Sequence, residues 1–227
     1  MSPFVHVVWP AVVGGVELEA TATTVSDTIQ ETHAVNLPSG LAAGKLAVLI
    51  AREGRTPGGM YTPSDWTLLM NTSTTARVSV FYRVCDGTEG STVNVTVHDG
   101  SEGSATARLV AVAYRVGGAL LTGDFIEGAH ASSGEPPLLT PSWGSAANLW
   151  LAAYTSRYGD WSVTAVPTNY ALAGEAITGS GEDNAYGIVG ASRVLTAASE
   201  QPGPFSIAAG ENGLVVERAM TIAVRPA

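Results

Sequence analysis

Apolar residues recur at every second position along most of this 227-residue chain. Within residues 91–98, for example, Val93, Val95 and Val97 alternate with polar residues. Successive side chains of a β-strand point to opposite faces of the sheet, so this period indicates strands with one apolar face. No segment longer than a turn or two has a helical period. The sequence therefore predicts an all-β protein.

The same alternation predicts strands throughout the chain, at residues 16–23, 32–37, 66–70, 77–84, 91–98, 108–116, 161–166, 187–195 and 218–225. Residues 46–51 and 149–154 are apolar on both faces and are predicted to be central strands. Turn signals such as Gly14-Gly15, Asp86-Gly87 and Gly117-Gly118 separate the strands, because these dipeptides supply the positive φ angles of tight turns. Many short strands at this spacing indicate a sandwich or a barrel.

An internal repeat organises these strands. Residues 45–51 align with residues 148–154, and the later blocks keep the same order at separations of roughly 103 to 110 residues. Alternation alone could align any two β-rich stretches, which is the competing interpretation. A non-periodic motif argues for duplication because it occurs at the same place in each half. Its matched residues are Pro63, Asp65, Trp66 and Leu68, and Pro167, Asn169, Tyr170 and Leu172.

The repeat predicts two tandem β-sandwich units of a jelly-roll-like kind. The first spans residues 14–118, the second spans residues 119–227, and residues 1–13 form a separate N-terminal segment. Whether the halves are separate bodies or interleave into one sandwich stays open.

Composition restricts the partners. The formal net charge is -9 and the sequence pI is about 4.8, so the long-range field repels nucleic-acid phosphates and anionic lipid. Residues 1–13 are apolar, but Pro3, Pro10 and the lack of a basic start argue against a signal peptide or a membrane span. Charged residues make up only 14 % of the chain and the mean hydropathy is +0.19, which favours burial of apolar surface in an assembly, including a homo-oligomer.

No motif nominates a catalytic, cofactor or metal site. A Gly-x-Ser-x-Gly elbow and a phosphate-binding loop are absent, and the four histidines are scattered and are expected at the surface or at strand edges. Cys85 is interpreted as a small buried apolar residue at a strand end. The acidic turns lack the Asp-x-Asp-x-Asp spacing of a calcium loop, although bound calcium is not excluded. A pair of carboxylates from distant loops, as in a glycosidase, is likewise not excluded, but no residue points to one.

Exposed aromatic residues offer the only candidate ligand contacts. Tyr61, Tyr158 and Trp161 fall in or beside two loops, residues 52–61 and 156–161, that occupy matching positions in the two halves. If a binding edge exists, it should involve both loops. The simpler interpretation is that aromatics such as Trp66 and Trp150 lie in the core and that the loop aromatics cap the sheets.

Several stretches resemble a β-sandwich family found in virion proteins of tailed bacteriophages and related gene transfer particles. They are NLPSGLAAGKLAVL from Asn36, TPSDWTLL from Thr62, FYRVCDGTEG from Phe81 and VAYRV from Val112. The second half resembles the family's continuation in NLWLA from Asn148, AASEQPGPF from Ala197 and TIAVRP from Thr221. The resemblance covers most of the chain from about residue 25 onward, and it is specific for fold and context but not for a role.

This resemblance implies a non-enzymatic structural protein at the particle surface of a virion, without catalytic residues or cofactors. We expect a capsid decoration (cement) or head-fibre protein that binds the major capsid protein or other virion proteins. The segment 1–13 departs from the repeated part and is the candidate particle anchor, through Phe4, Val5, Val7, Val8 and Trp9. The alternative is a tail-associated or cell-surface module that binds a host glycan or receptor.

Overall fold

The computed structural model describes residues 15–54, 59–72, 77–98, 105–157, 161–178, 186–209 and 215–227. These residues form fifteen strands and confirm the all-β prediction. The strands are β1 (Glu17–Gln30), β2 (Thr32–Asn36), β3 (Leu46–Glu53), β4 (Gly59–Met60), β5 (Thr67–Asn71), β6 (Val78–Val84), β7 (Thr92–His98), β8 (Ala107–Gly117), β9 (Ile126–Ala131), β10 (Ala146–Arg157), β11 (Trp161–Ala165), β12 (Ala171–Ile177), β13 (Tyr186–Ala197), β14 (Ser206–Ala209) and β15 (Val215–Val224).

The strands form four sheets, two from each half of the chain. The front sheet has the order β1-β8-β3-β6-β5 and the back sheet has the order β12-β13-β10-β15-β9. A three-stranded flap, β2-β7-β4, covers the outer face of the front sheet, and a two-stranded ribbon, β11-β14, covers that of the back sheet. Each half is therefore a small sandwich with its own core.

The two sandwiches share a third core between the front and back sheets. It combines Leu46, Val48 and Ile50 of β3 with Leu149 and Leu151 of β10, all almost fully buried. β1 and β8 lie across from β12 and β13 at one edge, and β5 lies across from β9 at the other. Among the described strands, none crosses from one large sheet to the other, so these strands form two halves that are neither separate bodies nor interleaved.

The sheet topology follows the sequence repeat. When β1, β8, β3, β6 and β5 are replaced by β9, β15, β10, β13 and β12, the order of the front sheet becomes the order of the back sheet. The repeated motif has the same backbone in both halves: Asp65 and Asn169 have φ of 65° and 66°. The amide of the following aromatic residue donates to the proline carbonyl, at 3.1 Å for Trp66 and 3.0 Å for Tyr170.

Both predicted central strands are confirmed. β3 is buried at all eight positions and lies in the middle of the front sheet, and β10 has the same place in the back sheet. The prediction of one apolar face for residues 77–84 needs a correction. Ser79 and Phe81 are as buried as Val78 and Val80, because the flap covers the face that alternation assigned to solvent.

Further sequence predictions have mixed outcomes. Trp66, Trp150 and Cys85 are buried as expected. The histidines were expected at the surface or at strand edges; His33 lies on β2, an edge strand of the flap, but is fully buried because β2 lies over the front sheet, and its ring bonds to Ser26 Oγ at 2.8 Å.

Candidate functional site

The molecule has two distinct ends, defined by the direction of β3 and β10. We call the end where these strands begin, at Leu46 and Ala146, the basal end, and the end where they finish, at Glu53 and Arg157, the apical end. At about 3.3 Å per residue, the 12 residues of β10 span roughly 40 Å between them. Features at opposite ends therefore cannot belong to one site.

A buried polar cluster joins the two halves at the apical end. Arg52, with no exposed surface, donates from Nη1 to Thr155 Oγ1 at 2.6 Å and lies 6.0 Å from the centroid of the Tyr186 ring. Tyr186 in turn donates from its hydroxyl to the carbonyl of Gly54 at 2.6 Å. Burial of an arginine is costly unless its donors are satisfied, so this cluster fixes how the sheets meet.

Tyr154 extends the cluster toward β15. Its hydroxyl donates to Glu217 Oε1 at 2.6 Å. Burial, and then this carboxylate, raise the pKa of Tyr154 above its usual range, so the hydroxyl stays protonated. The sequence predicts a loop that starts at Arg52, whereas the structure places Arg52 and Glu53 in β3. The sequence signal for the cluster is this Arg-Glu pair directly after an apolar run.

The two strands that lead into the matched loops meet at the apical end. Arg52 and Thr155, at the apical ends of β3 and β10, are in direct contact. The candidate contact residues themselves are not brought together. Tyr61 follows β4 in the flap, and Trp161 begins β11 in the ribbon. The front sheet and the back sheet lie between the flap and the ribbon. At about 10 Å between neighbouring layers, the two residues are roughly 30 Å apart. Tyr158 lies outside the described residues.

Tyr61 is an exposed aromatic beside a histidine. Its side chain is 40 % exposed and its ring centroid lies 4.7 Å from that of His98. The amide of Tyr61 donates to the carbonyl of Thr96 at 2.9 Å, which fixes the backbone at the edge of the flap. A ring held in this way offers a face for stacking.

The basal end carries both ends of the described chain. β1 begins there opposite Gly117, and the amide of Ala227 donates to the carbonyl of Gly118 at 2.9 Å. The candidate anchor residues Phe4, Val5, Val7, Val8 and Trp9 lie outside the described residues, but the segment that holds them joins the fold at this end, directly before Gly15.

Two exposed valines occupy equivalent positions at the basal end. Val84 finishes β6 opposite Leu46 and is 40 % exposed; Val194, opposite Leu149, holds the same place on β13 and is 53 % exposed. On their strands, both side chains lie on the face that points into the shared core. They are exposed because the opposite sheet does not extend far enough to cover them at this end. The basal rim is thus apolar at matched places in both halves.

An open groove of about 450 Å³ follows the edge between β1 and β12. Its walls combine threonine and alanine side chains with Leu18 and Leu172, the latter 57 % exposed. Gly174 lets the two strands approach, because its φ is 142° and a Cβ there would lie 2.9 Å from Thr21 Cγ2. Glu19 lies at a bulge of β1 and forms ion pairs with Lys45 and Arg115. The distance from Arg115 Nε to Glu19 Oε2 is 2.8 Å. These two cations lower the pKa of Glu19.

Within the described ranges no three His, Cys, Asp or Glu side chains are close enough to hold a metal ion. The described residues also include no helix long and apolar enough to cross a bilayer. Comparison of the chain with protein-family models, with curated proteins and with solved structures returns no match.

Proposed function

We propose that this protein is a non-enzymatic structural component of a tailed-phage or related particle, a capsid decoration or head-fibre protein attached through its basal end. The observation that carries the proposal is the polarity of the molecule. Both ends of the described chain, at residues 15 and 227, and the matched exposed valines are basal, and the polar cluster is apical. A protein held at one end and projecting from a surface needs this arrangement.

The apolar basal rim supports attachment at that end. Val84 and Val194 are exposed on inward-facing rows, where burial against a partner would remove apolar surface from water at about 25 cal/mol per Å². In the sequence, the segment 1–13 shortly precedes Gly15 at this end, and it contains the apolar residues Phe4, Val5, Val7, Val8 and Trp9. The partner is a virion protein such as the major capsid protein.

The rigid double sandwich supports a structural role in its own right. Three stacked cores bury most large apolar side chains of the described residues, and the Arg52 cluster ties the halves together. A load-resisting surface protein gains from such a body, because its strands cannot slide without breaking ladders and cores together.

The direct test is incorporation into particles made in the producing cell. Deletion of residues 2–13, or Val84→Asp with Val194→Asp, should lower the protein's content in gradient-purified particles by about tenfold or more, as loss of interface anchors does. Val25→Asp is the matched control, because Val25 is 46 % exposed but lies toward the apical end of β1, opposite Val110. Undiminished incorporation of both basal variants, with folding verified by circular dichroism, would refute basal attachment.

A glycan-binding or receptor-binding role is the second candidate, and the exposed Tyr61 ring beside His98 favours it. A glycan array probed with the purified protein tests it. Binding that disappears in Tyr61→Ala and persists in Tyr61→Phe would support this role. The absence of any signal above background would count against it.

A further inference from the structure

A pseudo-twofold axis relates the two halves and runs along the length of the molecule. β3 and β10 hold equivalent places in the front and back sheets, and both run from the basal to the apical end. A half-turn about a line between them, parallel to the strands, therefore exchanges the two sheets. Arg52 and Thr155 are equivalent, because they directly follow the aligned blocks 45–51 and 148–154, and they touch at 2.6 Å. A residue that contacts its own equivalent must lie beside the axis.

The contacts at the two edges of the shared core obey the same symmetry. By strand register, Thr21 of β1 is equivalent to Gly128 of β9. Gly174 of β12 is likewise equivalent to Met70 of β5. A Cβ on Gly174 would lie 2.9 Å from Thr21 Cγ2, and a Cβ on Gly128 would collide with Met70 Cε. The same two positions therefore meet at both edges, so the symmetry extends across the whole width of the sheets.

The basal rim repeats its exposed apolar residue about this axis. Val84 and Val194 are equivalent, since they lie opposite Leu46 and Leu149 in the two ladders. β6 and β13 lie on opposite sides of the axis, each one strand away from the central strand of its sheet. At about 4.8 Å between strands and about 10 Å between sheets, the two valines are roughly 14 Å apart. Each half thus presents one exposed valine at the same end of the molecule.

A matched ion pair holds the backbone beside each of these valines. Arg83 and Arg193 directly precede them in the sequence. Arg83 Nε lies 3.2 Å from Glu89 Oε1, and Arg193 Nη2 lies 3.0 Å from Glu200 Oε2. Both glutamate side chains are largely buried. Because these charges already pair within the chain, a partner can cover the valines with an uncharged, apolar surface and need not supply a counter-charge.

The two halves have diverged at other equivalent positions. Met70 and Gly174 differ greatly in size, as do Thr21 and Gly128. At the basal rim, by contrast, both halves have a valine, and both valines are exposed. Two equal contacts related by a half-turn fit a partner surface that is itself twofold symmetric, because one asymmetric subunit offers a given contact only once.

We propose that the basal rim binds across a twofold axis between two identical virion subunits, with each half of the chain on one subunit. The proposal rests on basal attachment as the proposed function and adds the symmetry of the partner. Once the first half is bound, the second contact forms at a high effective concentration, so two modest contacts give stable attachment. A single chain thereby makes the bivalent contact that would otherwise need a dimer.

Site-specific cross-linking on particles tests the symmetry. Val84→Cys and Val194→Cys are made separately in a Cys85→Ala background, so that each chain has one cysteine of about the size of the valine that it replaces. Each purified chain receives a photoreactive maleimide and is bound to particles that lack the protein. Both positions should cross-link to the same residues of the same subunit. Val25→Cys in the same background is the matched control and should give no cross-link, since Val25 lies toward the apical end.

Electron cryo-microscopy of particles with the wild-type chain provides a second measurement that needs no variant. Its density should lie on twofold axes, with the long axis of the molecule along each of them. The number of bound chains should not exceed one for every two copies of the cross-linked subunit.

Several outcomes would overturn the inference. Cross-links from the two valine positions to different sites, or density centred away from a twofold axis, would refute the twofold partner but leave basal attachment intact. Bound chains that cross-link from neither valine position would refute basal attachment and the inference together. Failure of the wild-type chain to bind particles at all would refute the proposed function, and with it this inference.

Discussion

Cys85 shows how a single residue's chemistry follows from its place in the fold. It lies directly after β6 and is 3 % exposed. Burial, and then the nearby Glu89 carboxylate, raise the pKa of the thiol to about 11. Its thiolate is the reactive form, so reactivity at neutral pH should be suppressed.

The first prediction concerns this thiol. At pH 8 only about one thiol in a thousand is ionised if the pKa is about 11, so a maleimide or disulfide reagent should modify Cys85 orders of magnitude more slowly than a free cysteine. When the protein is unfolded in urea, the modification rate of Cys85 should rise to that of free cysteine. Fast modification of the folded protein would contradict this burial.

Tyr114 and Gly190 form a large-to-small pair across the shared core. A Cβ on Gly190 would collide with the Tyr114 hydroxyl and would lie 3.1 Å from Cζ. By strand register, the equivalent residues of the other half are Ile222 for Tyr114 and Val80 for Gly190, so the two halves divide the volume at these positions differently. The duplication has thus been adjusted residue by residue.

The second prediction follows from this exchange of volume. Gly190→Val should destabilise the protein by about 3 kcal/mol through overpacking, and Tyr114→Val should cost about 3 kcal/mol through a cavity. The double variant should be more stable than the sum predicts by about 2 kcal/mol, because the valine at position 190 can fill part of the space that the Tyr114 ring leaves. Urea denaturation measures the free energy of unfolding of the wild type, the two single variants and the double variant. Additive effects would show that the residues do not compensate each other.

At the scale of elements, the repeated motif begins β5 and β12 in the same way. Asp65 and Asn169 adopt left-handed backbone angles, which Asp and Asn tolerate better than other non-glycine residues. The exposed side chain of Asp65 lies 3.8 Å from Arg83, a contact of little energetic weight at the surface. The backbone requirement therefore explains the shared residue type.

The third prediction separates backbone from side chain at these two positions. Asp65→Ala and Asn169→Ala should each destabilise the protein by about 1 kcal/mol, the cost of a left-handed alanine. Asp65→Gly and Asn169→Gly should be neutral or stabilising, because glycine accepts this φ freely. Thermal unfolding measures both. A glycine variant as unstable as the alanine variant would assign the effect to lost side-chain contacts.

Alternation predicted most strands but missed four. β9 (IEGAHA) and β12 (ALAGEAI) contain glycine and few β-branched residues, so their sequences carry little strand signal. They are strands because β15 and β13 offer backbone partners. β4 and β14 are too short to show a period. Period-two patterns identify strands that bury their own side chains, and not those held by a neighbour.

At the scale of the whole molecule, the repeat predicted two equivalent halves but not their joint core. Leu46, Ile50 and Leu149 lie in strands predicted to be apolar on both faces, and the sequence does not say which apolar face meets which. The candidate contact residues show the same limit. Matching sequence positions suggested one binding edge for Tyr61 and Trp161, but the twofold relation of the halves carries β4 and β11 to opposite outer layers. The basal valines were unrecognisable in sequence, since their exposure depends on where the facing sheet ends.

The fourth prediction is that neither half is soluble alone. Residues 14–118 without their partner would expose the inward face of the front sheet, including Val48, Ile50 and Val112. An exposed apolar face of this size leads to aggregation. Separate expression should give insoluble protein, and coexpression with residues 119–227 should restore a soluble one-to-one complex on a sizing column. A soluble, monomeric half would show that the shared core is dispensable.

The start of β1 and residue 227 lie close together, and this has a practical consequence. Glu17 pairs with Gly117 and Ala227 bonds to Gly118, so the start of β1 and the C-terminus flank the same two glycines. A short glycine-serine linker can therefore join residue 227 to residue 15, and a circular permutant opened between the halves near residue 122 should keep every ladder and all three cores. The new termini of such a permutant would lie near residue 122, in the natural connection between the two halves. Another protein could therefore be fused there without altering either sandwich.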